Sequence, residues 1–144
     1  ARLKGLNYRV YVLVGDGECQ CGVLWEGAMI ASKYKLSNLA VLVDYNDVQL
    51  DGPVHEILPL DPLVDKWKAF NFATLEIDGH NIWQVLEALD AAKEVHDKPT
   101  VIIAHTTKGK GVSFMENQSK WHGLAPNDEQ YARAVSELRG ERER

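Results

Sequence analysis

Two uninterrupted apolar runs, each stopped by a polar turn, constrain this chain most. Arg9–Val14 (RVYVLV) halts at Gly15-Asp16-Gly17, and Leu39–Val43 (LAVLV) halts at Asp44-Tyr45-Asn46. Runs rich in β-branched residues with no polar alternation belong to strands covered on both faces, the pattern of a parallel sheet. Phe72–Ile77 (FATLEI) and Thr100–Ala104 (TVIIA) supply two further strands. Helix-compatible stretches fall between them. Cys19 to Lys35 places Leu24, Ala28 and Ala31 on one face, and Asn81 to Val95 places Ile82, Val85, Leu86, Leu89 and Ala92 on another. A short helix is expected from Pro62 to Ala69, with Asp61 as its cap. A last one follows Asn127, with Gln130 completing a box. Strand–helix alternation predicts an α/β, doubly wound, mainly parallel sheet with helices on both faces and right-handed crossovers. Asp44–Pro53 reads as a polar loop with little regular structure, and Thr106–Gly123 as a long loop, functional or mobile.

The chain has 144 residues, enough for one domain, which the pattern places over 1–138; the charged tail Arg139–Arg144 is expected to fray. With 45% hydrophobic residues, 26% charged residues and a net charge of −5, it has no basic stripe for a nucleic-acid backbone. No apolar run approaches the roughly 20 residues of a membrane span, and Ala1 to Arg9 is too polar for a signal peptide. Cys19 and Cys21 match no zinc spacing. They read as reduced thiols, which points to the cytoplasm.

In doubly wound sheets ligands bind beyond the carboxyl ends of the strands, where the Gly15-Asp16-Gly17 and Asp44-Tyr45-Asn46 turns lie. Glycines allow close approach of a ligand, and a following helix offers N–H groups to an anion. An aspartate there repels phosphate unless a cation intervenes, and a hard cation takes carboxylate and phosphate oxygens together. If the first two strands are neighbours, the Asn46 amide oxygen reaches the same cation, and a carbonyl just beyond, such as that of Val48, could be a third ligand. Two readings stand on the residues alone: a phosphate-plus-Mg²⁺ site, or a tight turn whose aspartate caps the next helix, with Asn46 an ordinary turn residue.

The motifs Gly15-Asp16-Gly17-Glu18, Trp25-Glu26, Asp44-Tyr45-Asn46, Gln49-Leu50-Asp51-Gly52, Asp78-Gly79-His80, Lys108-Gly109-Lys110-Gly111 and Trp121-His122-Gly123 occur in this order from Tyr8 to Leu138. They resemble the diphosphate-binding domain of transketolase, particularly the split-gene kind with two separate subunits. The resemblance implies that Asp16, Asn46 and the Val48 carbonyl bind Mg²⁺, with Ca²⁺ or Mn²⁺ as substitutes. Gly15 and Gly17 would lie against the diphosphate of thiamine diphosphate, and Leu50 would contact its rings. His122 would face diphosphate and sugar as a positioning or proton-transfer group; its bland alternative is a loop histidine packed by Trp121. Lys108 and Lys110 would help close the loop, or form a solvated basic turn.

Glu26 matches a glutamate of the family's dimer interface, or is a surface helix charge. Cys21 stands where the family usually has a second interface glutamate, which puts communication between sites in doubt. The family's N-terminal sugar-binding histidines have no counterpart here, and the glutamate that protonates the cofactor belongs to another domain. The domain is therefore expected to be incomplete at its N-terminus, the chain being a fragment or truncated subunit or the rest of the enzyme another chain. A pyrimidine-binding partner subunit or domain, in a homodimer or heterotetramer, is implied together with sugar phosphate substrates. The implied reaction transfers a two-carbon ketol unit. A deoxyxylulose-phosphate synthase, a 2-oxo acid dehydrogenase component and a non-catalytic scaffold are the alternatives.

Overall fold

The computed structural model describes residues 1–140. The expectation of a fraying tail falls partly on residues 141–144, outside the described residues. The apolar runs become strands, with bounds within one or two residues of those expected, but the first, expected to be buried on both faces, lies at the sheet's edge and leaves Val10 to Leu13 exposed. β1 spans Val10–Gly15 and β2 Leu39–Tyr45; a short hairpin of β3 (Val48–Gln49) and β4 (Gly52–Pro53) follows, then β5 (Ala73–Asp78) and β6 (Thr100–His105). The main sheet has the order β1-β2-β6-β5 and every pairing in it is parallel.

That order decides where the helices go. The chain moves one way across the sheet from β1 to β2 to β5, then back from β5 to β6, so right-handed crossovers must use both faces. The helices obey. On the first face lie α1 (Gly22–Lys33) and, beyond the one-turn α2 (Val54–Ile57), α3 (Leu63–Ala69). There Ala28, Ala31, Leu63 and Trp67 meet Val41, Val43, Val101 and Ile103. Trp25, Trp67, Phe70 and Phe72 close the layer, with ring centroids 4.9–5.0 Å apart. The register places Leu42, Ile102 and Leu75 side by side on the opposite face. That face receives α4 (Ile82–Glu94), whose Ala88 lines a cleft with Leu75 and Ile77. The doubly wound α/β expectation therefore holds.

Four local expectations need correction. The first helix does not begin at Cys19. Asp16 caps a separate 3₁₀ turn over Gly17–Gln20, and Cys21, extended at φ −82°, ψ 128°, breaks the chain before α1. Asp44–Pro53 is not irregular, since it holds the β3–β4 hairpin. α3 starts at Leu63 because Pro62 is itself extended, and the Asp61 carboxylate accepts from the Tyr45 hydroxyl at 3.3 Å instead of capping. The long loop after β6 is anchored along its length. Gly109 turns at φ 73°, where a Cβ would fall 2.7 Å from the Met115 carbonyl oxygen. Ser113 Oγ donates to Glu137 of α5 (Asp128–Leu138) at 2.9 Å, and Trp121 Nε1 donates to the Phe114 carbonyl at 3.0 Å. The Asn127–Gln130 capping box forms as expected. Among the described residues no helix is long and apolar enough to cross a membrane.

Ile103 is 1% exposed at the centre of the sheet. Truncation to alanine should cost roughly 3 kcal/mol and Ile103→Val about 1 kcal/mol. Chemical denaturation measures both, and a loss under about 1 kcal/mol for Ile103→Ala would contradict this packing.

Candidate functional site

The parallel register makes the two polar turns neighbours. Gly15 pairs with Asp44 at the last rung of β1 and β2, and the Asp16 N–H donates to the Asp44 carbonyl at 3.1 Å. The chain beyond each strand thus leaves the sheet side by side, the condition a shared cation site requires.

Asp16 is the pivot. It is only 2% exposed. One carboxylate oxygen accepts the Gly17 N–H at 2.7 Å and the other accepts the Asp47 N–H. Burial pushes its carboxyl above the ordinary value of 3.8; N–H groups of Asp47, Gly17 and Asn46 oppose this, and the neighbouring Asp44 charge adds to it. Among the described residues no lysine, arginine or histidine pairs with it. The surroundings are negative as well. Burial, then Asp16 and Glu18, pushes the Cys19 thiol up to about 12, and burial, then Asp61, Asp47 and Asp16, pushes Tyr45 up to about 12. A buried carboxylate held by N–H donors inside a negative field is a place for a cation.

The donors nearby suit a hard cation. Asn46 Oδ1 accepts the Val48 N–H at 3.0 Å, which leaves the oxygen a second lone pair. Val48 is paired with Pro53, which has no N–H to give, so no ladder bond from its partner occupies the Val48 carbonyl. Among the described residues no cluster of three or more His, Cys, Asp or Glu side chains could hold a metal. One carboxylate, one amide oxygen and one carbonyl is instead the kind of set that Mg²⁺ takes together with ligand phosphates.

The other expected residues gather around this centre to different degrees. Gly17 lies against Gln49, and a Cβ there would come within 3.2 Å of the Gln49 side-chain oxygen, so the turn is closely built. The Gly15 N–H is taken by Glu18 at 2.8 Å, which leaves Gly15 only its bare Cα face for a ligand. Leu50, 64% exposed, caps the hairpin, and Gly123 sits beside it. His122 is exposed on the 3₁₀ turn Ser119–His122, which contacts β3. Lys108 lines a cavity of about 460 Å³ with Asn46, Asp44, His80 and Thr107, whereas Lys110 and Glu26 are exposed. Cys21 is an exposed free thiol that lines the apolar cleft under α1.

Several residues of the site receive no role from the sequence pattern. Thr106 Oγ1 donates to Asp44, and the His80 ring Nε2 accepts the Thr107 N–H at 2.7 Å, so the loop leaving β6 is tied to the ends of β2 and β5. Gly79 is required there, since a Cβ would lie 2.5 Å from Thr106 Cγ2. Asp47 gives a single signal, the Asn46-Asp47 dipeptide, because both residue types tolerate the left-handed region.

Known proteins resemble this chain in sequence and in fold. The family model described as "Transketolase, thiamine diphosphate binding domain" matches residues 4–141. The chain is 40% identical over 138 residues to an apulose-4-phosphate transketolase subunit from Phocaeicola vulgatus, covering 96% of this chain and 49% of that protein. It is 42% identical over 140 residues to the 6-deoxy-6-sulfo-D-fructose transketolase subunit SqwG of a Clostridium species, covering 97% and 51%. Among solved structures it superimposes on Campylobacter jejuni transketolase with a TM-score of 0.85 at 29% identity, covering 92% of this chain and 21% of that one. The chain thus spans about half the length of these two relatives and about a fifth of that structure.

The raised Asp16 carboxyl fixes a pH sign. A folded value above the unfolded one contributes stability that is complete below about 3.8 and is lost as pH rises through the folded value. Without a divalent cation, wild-type stability minus that of Asp16→Asn should therefore fall from about pH 3.5 toward neutrality, beginning in the carboxylate range. Thermal unfolding across this window checks it; a rising difference would contradict the assignment.

Proposed function

This chain belongs to the transketolase thiamine diphosphate-binding family, and on that premise we propose that it is the diphosphate- and Mg²⁺-holding part of a transketolase. The reaction is transfer of a two-carbon ketol unit from a ketose phosphate to an aldose phosphate. The observation that carries the reading is Asp16: a carboxylate buried at a strand end, held by N–H groups and lacking a counter-charge among the described side chains, beside an asparagine oxygen on the adjoining strand end.

Asp16, Asn46 and the Val48 carbonyl would hold Mg²⁺, with Ca²⁺ or Mn²⁺ as substitutes, and the ion would offset the charge of the diphosphate. Gly15 and Gly17 leave room for the phosphate groups, and Leu50 gives the rings an apolar contact. When bound, thiamine diphosphate supplies the carbon nucleophile and the electron sink of the reaction. The chain's own work is anchoring and orientation. His122, on the turn beside the hairpin, would position the sugar phosphate or move a proton. Lys108 would assist at the mouth of the site.

The matched relatives carry names of subunits, which supports a partner chain. We assign to that partner the pyrimidine-binding half of the site and the acid that activates the cofactor, within a homodimer or heterotetramer in the cytoplasm. The domain proposed here runs from residue 1 to 138. Turnover then requires the assembled enzyme. The two relatives are named for different sugars, so the donor ketose is a matter for assay with xylulose phosphate and ribose phosphate, against pyruvate as the competing donor.

Asp16→Ala should abolish Mg²⁺-dependent binding of thiamine diphosphate, a loss beyond the about 10–100-fold that removing an outer-shell partner of a metal ligand costs. Calorimetry on the enzyme assembled with its partner measures this. Unchanged affinity would remove Asp16 from the metal site, and no binding by the wild-type enzyme would leave only a scaffold.

A further inference from the structure

Asp47 directly follows Asn46, and its main-chain N–H donates to the Asp16 carboxylate. Between that N–H and the chain that follows, Asp47 adopts φ 59°. A residue with a Cβ holds this left-handed conformation where its surroundings fix it. Here the surroundings engage each of its polar groups. Asp47 Oδ1 accepts the His55 main-chain N–H at 3.0 Å, Oδ2 meets the His55 ring Nδ1, and the Asp47 carbonyl accepts the Val54 N–H at 2.9 Å. Three of these contacts come from the first two residues of α2. The His55 side chain is 62% exposed, so its grip on Asp47 is not incidental to core packing.

We propose that Asp47 and His55 are positioning residues for the cation site: the His55 ring holds the Asp47 side chain, which keeps the backbone left-handed and the Asp47 N–H on Asp16. The inference rests on the reading that Asp16 holds the cation. In it, α2 serves as a clamp at the far side of the site, and the line of action runs from ring to carboxylate to backbone to the metal ligand. Glycine at position 47 would enter the left-handed region without any clamp. This separates a positioning role from direct contact with the cofactor, because only the former can be rescued at a different residue.

Two measurements on the same variants test it: hydrogen exchange of the residue 47 amide by NMR in the full chain, and calorimetry of thiamine diphosphate with Mg²⁺ in the assembled enzyme. His55→Ala should speed exchange at residue 47 and weaken cofactor binding, each by about fivefold, the scale of an exposed charged hydrogen bond. His55→Asn, whose side-chain N–H takes the place of the ring Nδ1–H, should keep both near wild type. Asp47→Gly added to His55→Ala should restore both. If His55→Ala changes neither quantity, or if glycine at 47 fails to restore them, the proposal is overturned. Wild-type enzyme that binds no cofactor overturns the parent reading and this one with it. Normal wild-type binding with no loss in His55→Ala overturns this one alone.

Discussion

The structure depends on one unsettled charge. Asp16 is buried at the end of the edge strand β1, where two N–H groups satisfy its oxygens but no described side chain neutralises them. A protein rarely keeps an ionised carboxylate out of water in this way without a partner. Its neighbours make matters worse, since the Asp44 charge raises the cost of ionising it. A divalent cation bound through oxygen ligands would resolve the conflict, and the same ion would let a diphosphate approach an otherwise repellent surface. The surrounding architecture can be understood as the means of building that arrangement.

The parallel pairing of β1 and β2 sets two turns side by side, and the pairing of β6 with β2 brings a third segment to the same end of the sheet. Thr106 ties this segment to Asp44, Gly79 lets it pass within contact distance of β5, and the Asp47–His55 clamp holds the second turn in place. The apolar layer beneath, from Trp25 to Ile103, gives these loops a stiff base. A site made by loops on a rigid sheet can hold oxygens at fixed positions with little reorganisation on binding.

Much of this was legible in the sequence, for identifiable reasons. The apolar runs Arg9–Val14, Leu39–Val43 and Thr100–Ala104, with the strand-like Phe72–Ile77, made the strands and the doubly wound architecture readable, but not the exposure of β1 at the sheet's edge. Asp16 and Asn46 followed from their places at strand ends. What stayed hidden depended on long-range partners. The break at Cys21, the Asp61 side chain drawn to Tyr45 and the β3–β4 hairpin are each decided by contacts that local propensity does not register. For Asp47 the Asn46-Asp47 dipeptide hints only at a left-handed turn; its backbone N–H to Asp16 is a contact that no residue type announces. The family resemblance supplied roles, such as those of Leu50 and His122, that spacing alone could not. The structure sets Leu50 beside Gly123 and leaves His122 exposed on the adjoining turn.

Where the cation binds is the deciding question. A crystal structure of the enzyme assembled with its partner, in the presence of thiamine diphosphate and Mg²⁺, tests this most directly. The expected result is a six-coordinate ion about 2.0–2.1 Å from an Asp16 carboxylate oxygen, Asn46 Oδ1 and the Val48 carbonyl, with two diphosphate oxygens and a water completing the shell. Cofactor bound with its metal held elsewhere, and Asp16 still engaged only by Gly17 and Asp47, would contradict it.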